Sequence, residues 1–218
     1  MTRALVFGAT GYVGTHLVPY LAARGVTVRA AARRHLAMEA RDWPGVERVQ
    51  ADALAPETLG PALESIDVAY YLVHSMAAGG DFPRLDREAA QHFRDAAARA
   101  GVQRIVYLGG LNPAGEASKH LASRVETGAI LRQGPVPVTE VRAGVIIGPG
   151  SAAFEVIRDL VFHLPAMVTP RWVQSRAQPI ALDDVLEYLA RLPEIPEAAG
   201  KVYDVGGPDV LTYEQMMR

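Results

Sequence analysis

Leu5-Val6-Phe7-Gly8-Ala9-Thr10-Gly11-Tyr12-Val13-Gly14 is the stretch whose reading decides the fold. A short apolar run ends in a glycine-rich turn and passes at once into a segment with apolar residues at helical spacing. The pattern is strand, loop, helix. Gly8 allows a tight turn out of the strand. Gly11 presents bare backbone to an approaching ligand, and Gly14 lets the helix lie close to the sheet. Unpaired N–H groups at a helix start, with the helix dipole, favour negative phosphates. Gly8, Thr10, Gly11, Tyr12, Val13 and Gly14 are therefore the expected cradle of a dinucleotide pyrophosphate. The glycines stand wider apart than in G-x-G-x-x-G. The assignment thus rests on the strand before the loop and the βα series after it; a turn that merely connects strand to helix is the alternative.

Moving outward, Tyr12 to Arg24 carries Val13, Leu17, Val18 and Leu21 at helical spacing, interrupted by Pro19 and stopped by Gly25. Residues 26–32 read as a second strand, followed by Arg33-Arg34. In dinucleotide folds this strand end faces the adenosine ribose, where an acid suits the 2′-hydroxyl of NAD and an arginine the 2′-phosphate of NADP. No Asp or Glu occurs from Val26 to Arg34. A guanidinium fork matches a phosphate well, so NADP(H) is the preferred cofactor, held by Arg33 first and Arg34 second, with NAD(H) the alternative. Two solvated arginines in a turn would look the same.

Residues 46–51 form an expected third strand, and Asp52-Ala53 at its end fall near the adenine edge. Asp52 suits the adenine amino group or, equally, a turn cap. A short helix over 56–63 precedes a fourth strand at 67–73, apolar enough to be central. It leads to His74-Ser75-Met76. That strand crosses to the other side of the first, which opens the crevice where ligands bind. Val73 and His74 are expected against cofactor, Ser75 and Met76 against substrate; a histidine that only caps the strand end is as consistent with the pattern.

Residues 84–100 form an amphipathic helix with Leu85, Ala89, His92, Phe93 and Ala97 along one stripe. A fifth strand at 104–108 runs into Gly109-Gly110-Leu111, a helix follows over 118–133, and a sixth strand opens at 138–142. Beyond Gly150 the rhythm loosens. A helix is expected over 153–163, then a loop to Pro179 whose Met167, Trp172, Val173 and Arg176 are candidate lid residues, with Trp172 and Arg176 assigned to substrate. Another helix starts with Asp183 or its neighbour near the N-cap, a last strand spans 201–207, and Thr212 caps a short final helix. That helix is so short that the chain reads as a fragment of something longer.

The bulk numbers exclude several classes. The 218 residues carry a net charge of -2 and a pI of about 6.3, with no electrostatic footprint for nucleic acid. There is no cysteine, hence no disulfide, thiol nucleophile or thiolate metal site. No apolar run reaches membrane-spanning length, so no membrane insertion is expected, and a soluble cytoplasmic protein is the default.

Together these landmarks resemble the atypical, extended short-chain dehydrogenase/reductase superfamily. Within it they are similar to the NmrA-like NAD(P)-binding proteins and to the accessory Rossmann subunit of respiratory complex I. The resemblance rests on Gly8-Ala9-Thr10-Gly11-Tyr12-Val13-Gly14, Tyr71-Leu72-Val73-His74-Ser75-Met76, Arg104-Ile105-Val106-Tyr107-Leu108-Gly109-Gly110-Leu111, Ser118-Lys119-His120-Leu121-Ala122-Ser123-Arg124, Arg142-Ala143-Gly144-Val145-Ile146-Ile147-Gly148 and Gln178-Pro179-Ile180. It implies an α/β fold: a doubly wound parallel Rossmann sheet with helices on both faces and a small C-terminal substrate lobe. Residues 1–150 would be the NAD(P)-binding domain and 151–218 a partly interleaved, truncated substrate or lid region. A homodimer through the helices after the fourth and fifth strands is common in that superfamily.

Active members of the superfamily use a serine after the fifth strand and a Tyr-x-x-x-Lys on the next helix. Here the first slot reads Leu108-Gly109-Gly110-Leu111 and the second His120-Leu121-Ala122-Ser123-Arg124. The four-residue spacing keeps His120 and Arg124 on one helix face. Imidazole exchanges protons near neutral pH, whereas the Arg124 guanidinium stays charged and can only bind the ribose hydroxyls of the cofactor or a developing oxyanion. Ser118 and Ser123 are nearby hydroxyls, the latter about 100° around the helix from Arg124. A solvated His–Arg pair, or a pairing with Glu126, fits the same pattern. Two functions follow. One is an NADP(H)-dependent oxidoreductase on a small carbonyl or alcohol, with His120 and Arg124 as its catalytic pair. The other is a non-catalytic NAD(P)(H)-binding sensor, regulatory or assembly protein.

Overall fold

The structure is a computed structural model that describes residues 2–74, 81–111, 118–151, 154–155, 158–159 and 171–217. Seven strands make the central sheet: β1 (Arg3–Phe7), β2 (Thr27–Ala32), β3 (Glu47–Gln50), β4 (Val68–Tyr71), β5 (Arg104–Gly110), β6 (Val138–Ala143) and, much later in the chain, β10 (Val202–Val205). Their spatial order is β10-β6-β5-β4-β1-β2-β3, and every pairing is parallel. The chain leaves β1 toward β2 and β3, then returns to the opposite side of β1 for β4. The switch point therefore lies between β1 and β4, above their C-terminal ends.

Strand side chains alternate between two cores. On one face Ala4, Val6, Tyr70 and Val106 pack with Leu17, Val18 and Leu21 of α1 (Tyr12–Ala23) and Met38 of α2 (His35–Glu39). On the other, Leu5, Phe7, Tyr71 and Tyr107 pack against α3 (Leu59–Leu63), α4 (Phe82–Arg99) and α5 (Lys119–Leu131). Here Phe93 lies 5.1 Å from Phe7 and 4.8 Å from Tyr71 between ring centroids. Pro19 sits inside α1 without ending it.

The buried stripe of α4 differs from the expected one. Leu85 is only half-buried, while Phe82, Asp86, Ala89, Ala90, Phe93, Ala96 and Ala97 face inward. A buried carboxylate at position 86 is acceptable because Ser123 Oγ of α5 donates to Asp86 Oδ2 at 2.8 Å. Hydropathy alone ranks Leu85 above Asp86 and misses a pairing 37 residues away.

The C-terminal third threads back into this architecture. Two-residue strands β7 (Ile146–Ile147) and β9 (Ile180–Ala181) pair in parallel, and β8 (Arg176–Ala177) pairs antiparallel with β11 (Leu211–Thr212). Helix α6 (Leu182–Arg191) lays Leu182, Val185, Leu186 and Leu189 into the first core beside α1. Its N-cap is Ala181, without a side-chain bond, so Asp183 and Asp184 sit in the first turn, where they favour the helix dipole instead of capping it. Glu187 of α6 ties down Tyr20 of α1 and Arg24 at its C-cap. Thr212 caps α7 (Tyr213–Met216) with a full capping box to Gln215, as its sequence suggests. The helix expected over 153–163 falls largely outside the described residues. No helix among the described residues is long and apolar enough to cross a membrane.

Candidate functional site

The loop between β1 and α1 is shaped by its glycines. Gly8 has φ +98°, and a Cβ there would stand 2.9 Å from Val73 Cγ1 and 3.0 Å from the Leu72 carbonyl oxygen. A Cβ on Gly14 would strike the Gly8 carbonyl oxygen and come within 2.9 Å of Ala9 Cα. Gly8 and Ala9 N–H both donate to the Ala31 carbonyl, at 2.9 and 3.0 Å, and Gly11 N–H donates to Gly8 O at 3.0 Å. The loop is thus pinned to β2 and coiled back on itself. Helix α1 begins after Gly11 with no side-chain cap and no acidic residue in its first turn. Its leading N–H groups lack intrahelical partners, as in any helix, and no side chain of its own first turn competes for them.

Beside this loop is a cavity of about 190 Å³ that gathers many of the expected residues: Gly8, Thr10, Gly11, Arg33, Asp52, Ala53, Val73 and His74. Arg33 is exposed and forms no ion pair among the described residues. Arg34 caps α2 and is also exposed, but does not line the cavity. Asp52 serves a local turn, its Oδ1 accepting from Leu54 N–H at 3.0 Å, and also lines the cavity. His92 of α4, which the sequence reading placed only on a stripe, meets the Ala53 carbonyl through Nδ1 at 2.8 Å and braces the loop. Tyr12, Val13 and Gly14 form the first turn of α1 behind the cavity. The Tyr12 hydroxyl is turned toward Gly148, where an added Cβ would lie 2.6 Å from it.

His74 lies at the switch point, its ring 6.0 Å from that of Tyr107. Burial lowers its pKa to about 4; the Arg124 charge pushes the same way, against Asp86 and a hydrogen bond to the Leu108 backbone. The imidazole is therefore neutral at pH 7. Its Nδ1 is buried and meets no partner among the described residues. With the other ring nitrogen donating to the Leu108 backbone, Nδ1 is left as an acceptor on a residue that lines the cavity.

A second crevice, about 490 Å³, opens at the C-terminal ends of β5 and β6. It brings together His120, Arg124 and Arg176 with Gly110, Leu121, Val145, Gln178 and Tyr213. His120 is exposed and stacks on Phe82, 4.4 Å between centroids and 12° between planes. Arg124 is half-buried; its carbonyl accepts the Tyr107 hydroxyl at 2.8 Å. A Cβ on Gly110 would come within 2.8 Å of Leu121 Cδ1 and 3.6 Å of Arg124 Cδ, so the glycine in the serine slot leaves the space that these side chains fill. Of the nearby hydroxyls, Ser118 caps α5 through Leu121 N–H and Ser123 is engaged by Asp86. Glu126 pairs with Arg87 at 3.4 Å.

Ser75, Met76 and Met167 lie outside the described residues. Trp172 belongs to a 3₁₀ turn (Arg171–Gln174), and its side chain lies outside the description; Val173 in the same turn is buried. Gln178 and Tyr213 were not singled out from sequence as site residues. Gln178 carried a signal as part of a Gln-Pro-Ile landmark. Tyr213 carried none, because only the β8–β11 pairing brings it near.

Buried, unpartnered His74 Nδ1, the open helix start and the glycine-shaped loop all fit a nicotinamide dinucleotide, and the comparisons agree. A family model described as NAD(P)H-binding matches residues 8–134. Sterol demethylase protein B of Methylococcus capsulatus is 34% identical over 125 residues, covering 53% of this chain and 38% of that one. The mitochondrial NADH-ubiquinone oxidoreductase 40 kDa subunit of Neurospora crassa is 26% identical over 227 residues, covering 96% of this chain and 56% of its own. The chain thus spans well under two thirds of either relative. Among solved structures, MoeE5 in complex with UDP-glucose and NAD superposes with a TM-score of 0.80 at 19% identity, over 97% of this chain and 78% of that one. That likeness bears on the fold.

Proposed function

The chain belongs to the NAD(P)H-binding family, and from that premise we propose that it is an NADP(H)-dependent oxidoreductase acting on a small carbonyl or alcohol. The observation that carries this reading is the crevice shared by His120 and Arg124, one helical turn apart, with Arg124 close enough to lower the pKa of His74 on the cofactor side. Residues 1–150 hold the cofactor, and 151–218 supply the far wall of the substrate crevice. The glycine loop and the start of α1 receive the pyrophosphate, Arg33 the 2′-phosphate, with Arg34 behind it, and Asp52 and Ala53 flank the adenine. His74 Nδ1 accepts a hydrogen bond from the cofactor. Bound there, the nicotinamide gives or takes a hydride. The exposed His120 imidazole exchanges the matching proton, and Arg124 steadies the oxygen on which negative charge grows.

Calorimetric titration tests the cofactor. NADPH is expected to bind at least tenfold tighter than NADH, a difference of about 1.4 kcal/mol, and Arg33→Ala should erase that preference. Equal affinities in the unaltered protein would reject the role of Arg33. On a reductase substrate found by screening, His120→Ala should slow turnover about a hundredfold or more; full turnover would remove His120 from the chemistry.

A second reading is favoured by the occupied serine slot, where Leu121 crowds Gly110 and the Arg124 stem lies in contact with it. In it, the site binds NAD(P)(H) without redox chemistry, and occupancy governs association with a partner. Tight NADPH binding with no oxidation by any screened substrate would support it over the enzyme.

A further inference from the structure

We infer that the second crevice is an oxyanion subsite, in which Arg124 and Arg176 take the carboxylate or phosphate of a substrate with an apolar body. The inference deepens the reductase reading and rests on it for the word substrate.

The two arginines reach this crevice from distant parts of the chain, one from the middle of α5 and the other from β8. No Asp or Glu lines it among the described residues. Neither arginine has an ion-pair partner among those residues, whereas Arg24, Arg84, Arg142 and Arg191 each meet a carboxylate. Two arginines line one concavity with no counter-charge among the described residues, so an oxyanion bound there gains charge-assisted hydrogen bonds.

Both groups are carried on positioned backbone. The Tyr107 hydroxyl holds the Arg124 carbonyl at 2.8 Å, and bare Gly110 leaves room for the Arg124 stem. Arg176 stands opposite Thr212 in the β8–β11 ladder. The rest of the wall is largely apolar, with Leu111, Leu121, Val145 and Val210, and the volume of about 490 Å³ suits a small organic molecule. A neutral sugar or a cationic amine would leave the arginines unmatched.

The test is calorimetry on the NADPH-saturated protein with three probes: hexanoate, hexanamide and hexyl phosphate. At least one of the two anions is expected to bind ten or more times tighter than hexanamide, and the tighter one identifies the oxyanion. Arg176→Gln should weaken that anion at least tenfold and leave NADPH affinity unchanged, while Arg176→Lys should recover part of the loss. Indifference between anions and hexanamide, or full anion affinity in Arg176→Gln, would overturn the subsite and leave the cofactor reading standing. Failure of NADPH to bind would instead sink the cofactor reading, and the same titrations without NADPH would still decide the subsite.

Discussion

His74 is a neutral imidazole held beside a guanidinium, and this has a consequence for stability. In the unfolded chain a histidine titrates near 6.5; in the fold, burial and Arg124 bring it to about 4, with Asp86 and the Leu108 backbone resisting. Between those values the unfolded chain binds a proton that the folded chain refuses. Stability from this residue is therefore complete above pH 6.5 and falls as the pH drops toward 4. Moving from pH 7 to pH 5 should cost about 2 kcal/mol on this account. Urea unfolding of the unaltered protein and of His74→Gln at both values measures it, since the variant lacks the titration. Parallel losses in the two proteins would mean that His74 is not buried neutral. The sequence placed His74 at the crevice but left its role open between ligand contact and strand cap. Its surroundings include the Tyr107 ring and the Arg124 charge, both more than thirty residues away, which no local pattern reveals. Arg33 was easier to read, because its position at the end of β2 follows from counting along the chain, whatever packs around it.

At the scale of elements, the first βα unit was the most legible part of the molecule. Its signals are local: an apolar run, three glycines, then Leu17, Val18 and Leu21 at helical spacing. The structure adds why each glycine is needed. Gly14 is the contact point between α1 and the preceding turn, where a Cβ meets the Gly8 carbonyl oxygen and lies 2.9 Å from Ala9 Cα. These are backbone atoms, so no rotamer change relieves the clash, and α1 must shift bodily. Gly14→Ala should destabilise the protein by about 2 kcal/mol or more and weaken NADPH binding at least tenfold by moving the helix N-terminus. Gly25→Ala is the control. Gly25 has φ +80° and open space around it, so alanine there pays only backbone strain and should leave NADPH affinity intact. Equal effects of the two substitutions on cofactor binding would show that the α1 contact does not position the loop. The α4 stripe was less legible, because its turn toward Asp86 is set by Ser123 on another helix.

Over the whole molecule, the order of the first six strands could be anticipated, because βαβ crossovers of one hand leave few ways to wind them. The path after Gly150 could not. Its strands β7, β8, β9 and β11 are two residues long, too short for a period to register, and each exists only through its partner. The segment is instead locked by close packing on glycines. Gln178 Nε2 donates to the Gly207 carbonyl at 2.7 Å, its side chain fills the space a Cβ on Gly206 would take, and its backbone carbonyl presses on Gly144. Gly144 follows β6 and Gln178 precedes β9, so this one contact seats the far wall of the second crevice on the sheet. Gly144→Ala would put a Cβ against the Gln178 carbonyl oxygen and 3.0 Å from its carbon. The β8–β9 segment must then lift, carrying Arg176 with it, while the loop at Gly8 to Gly14, anchored on β2, is undisturbed. NADPH affinity should stay within about twofold and binding of the preferred anion should fall at least tenfold, with proteolytic cleavage between β8 and β9 accelerated; tenfold is about 1.4 kcal/mol, well within the 1–3 kcal/mol typical of overpacking. Joint loss of both ligands would mean that the two crevices are one mechanical unit; unchanged anion binding would mean that Gln178 does not set the wall.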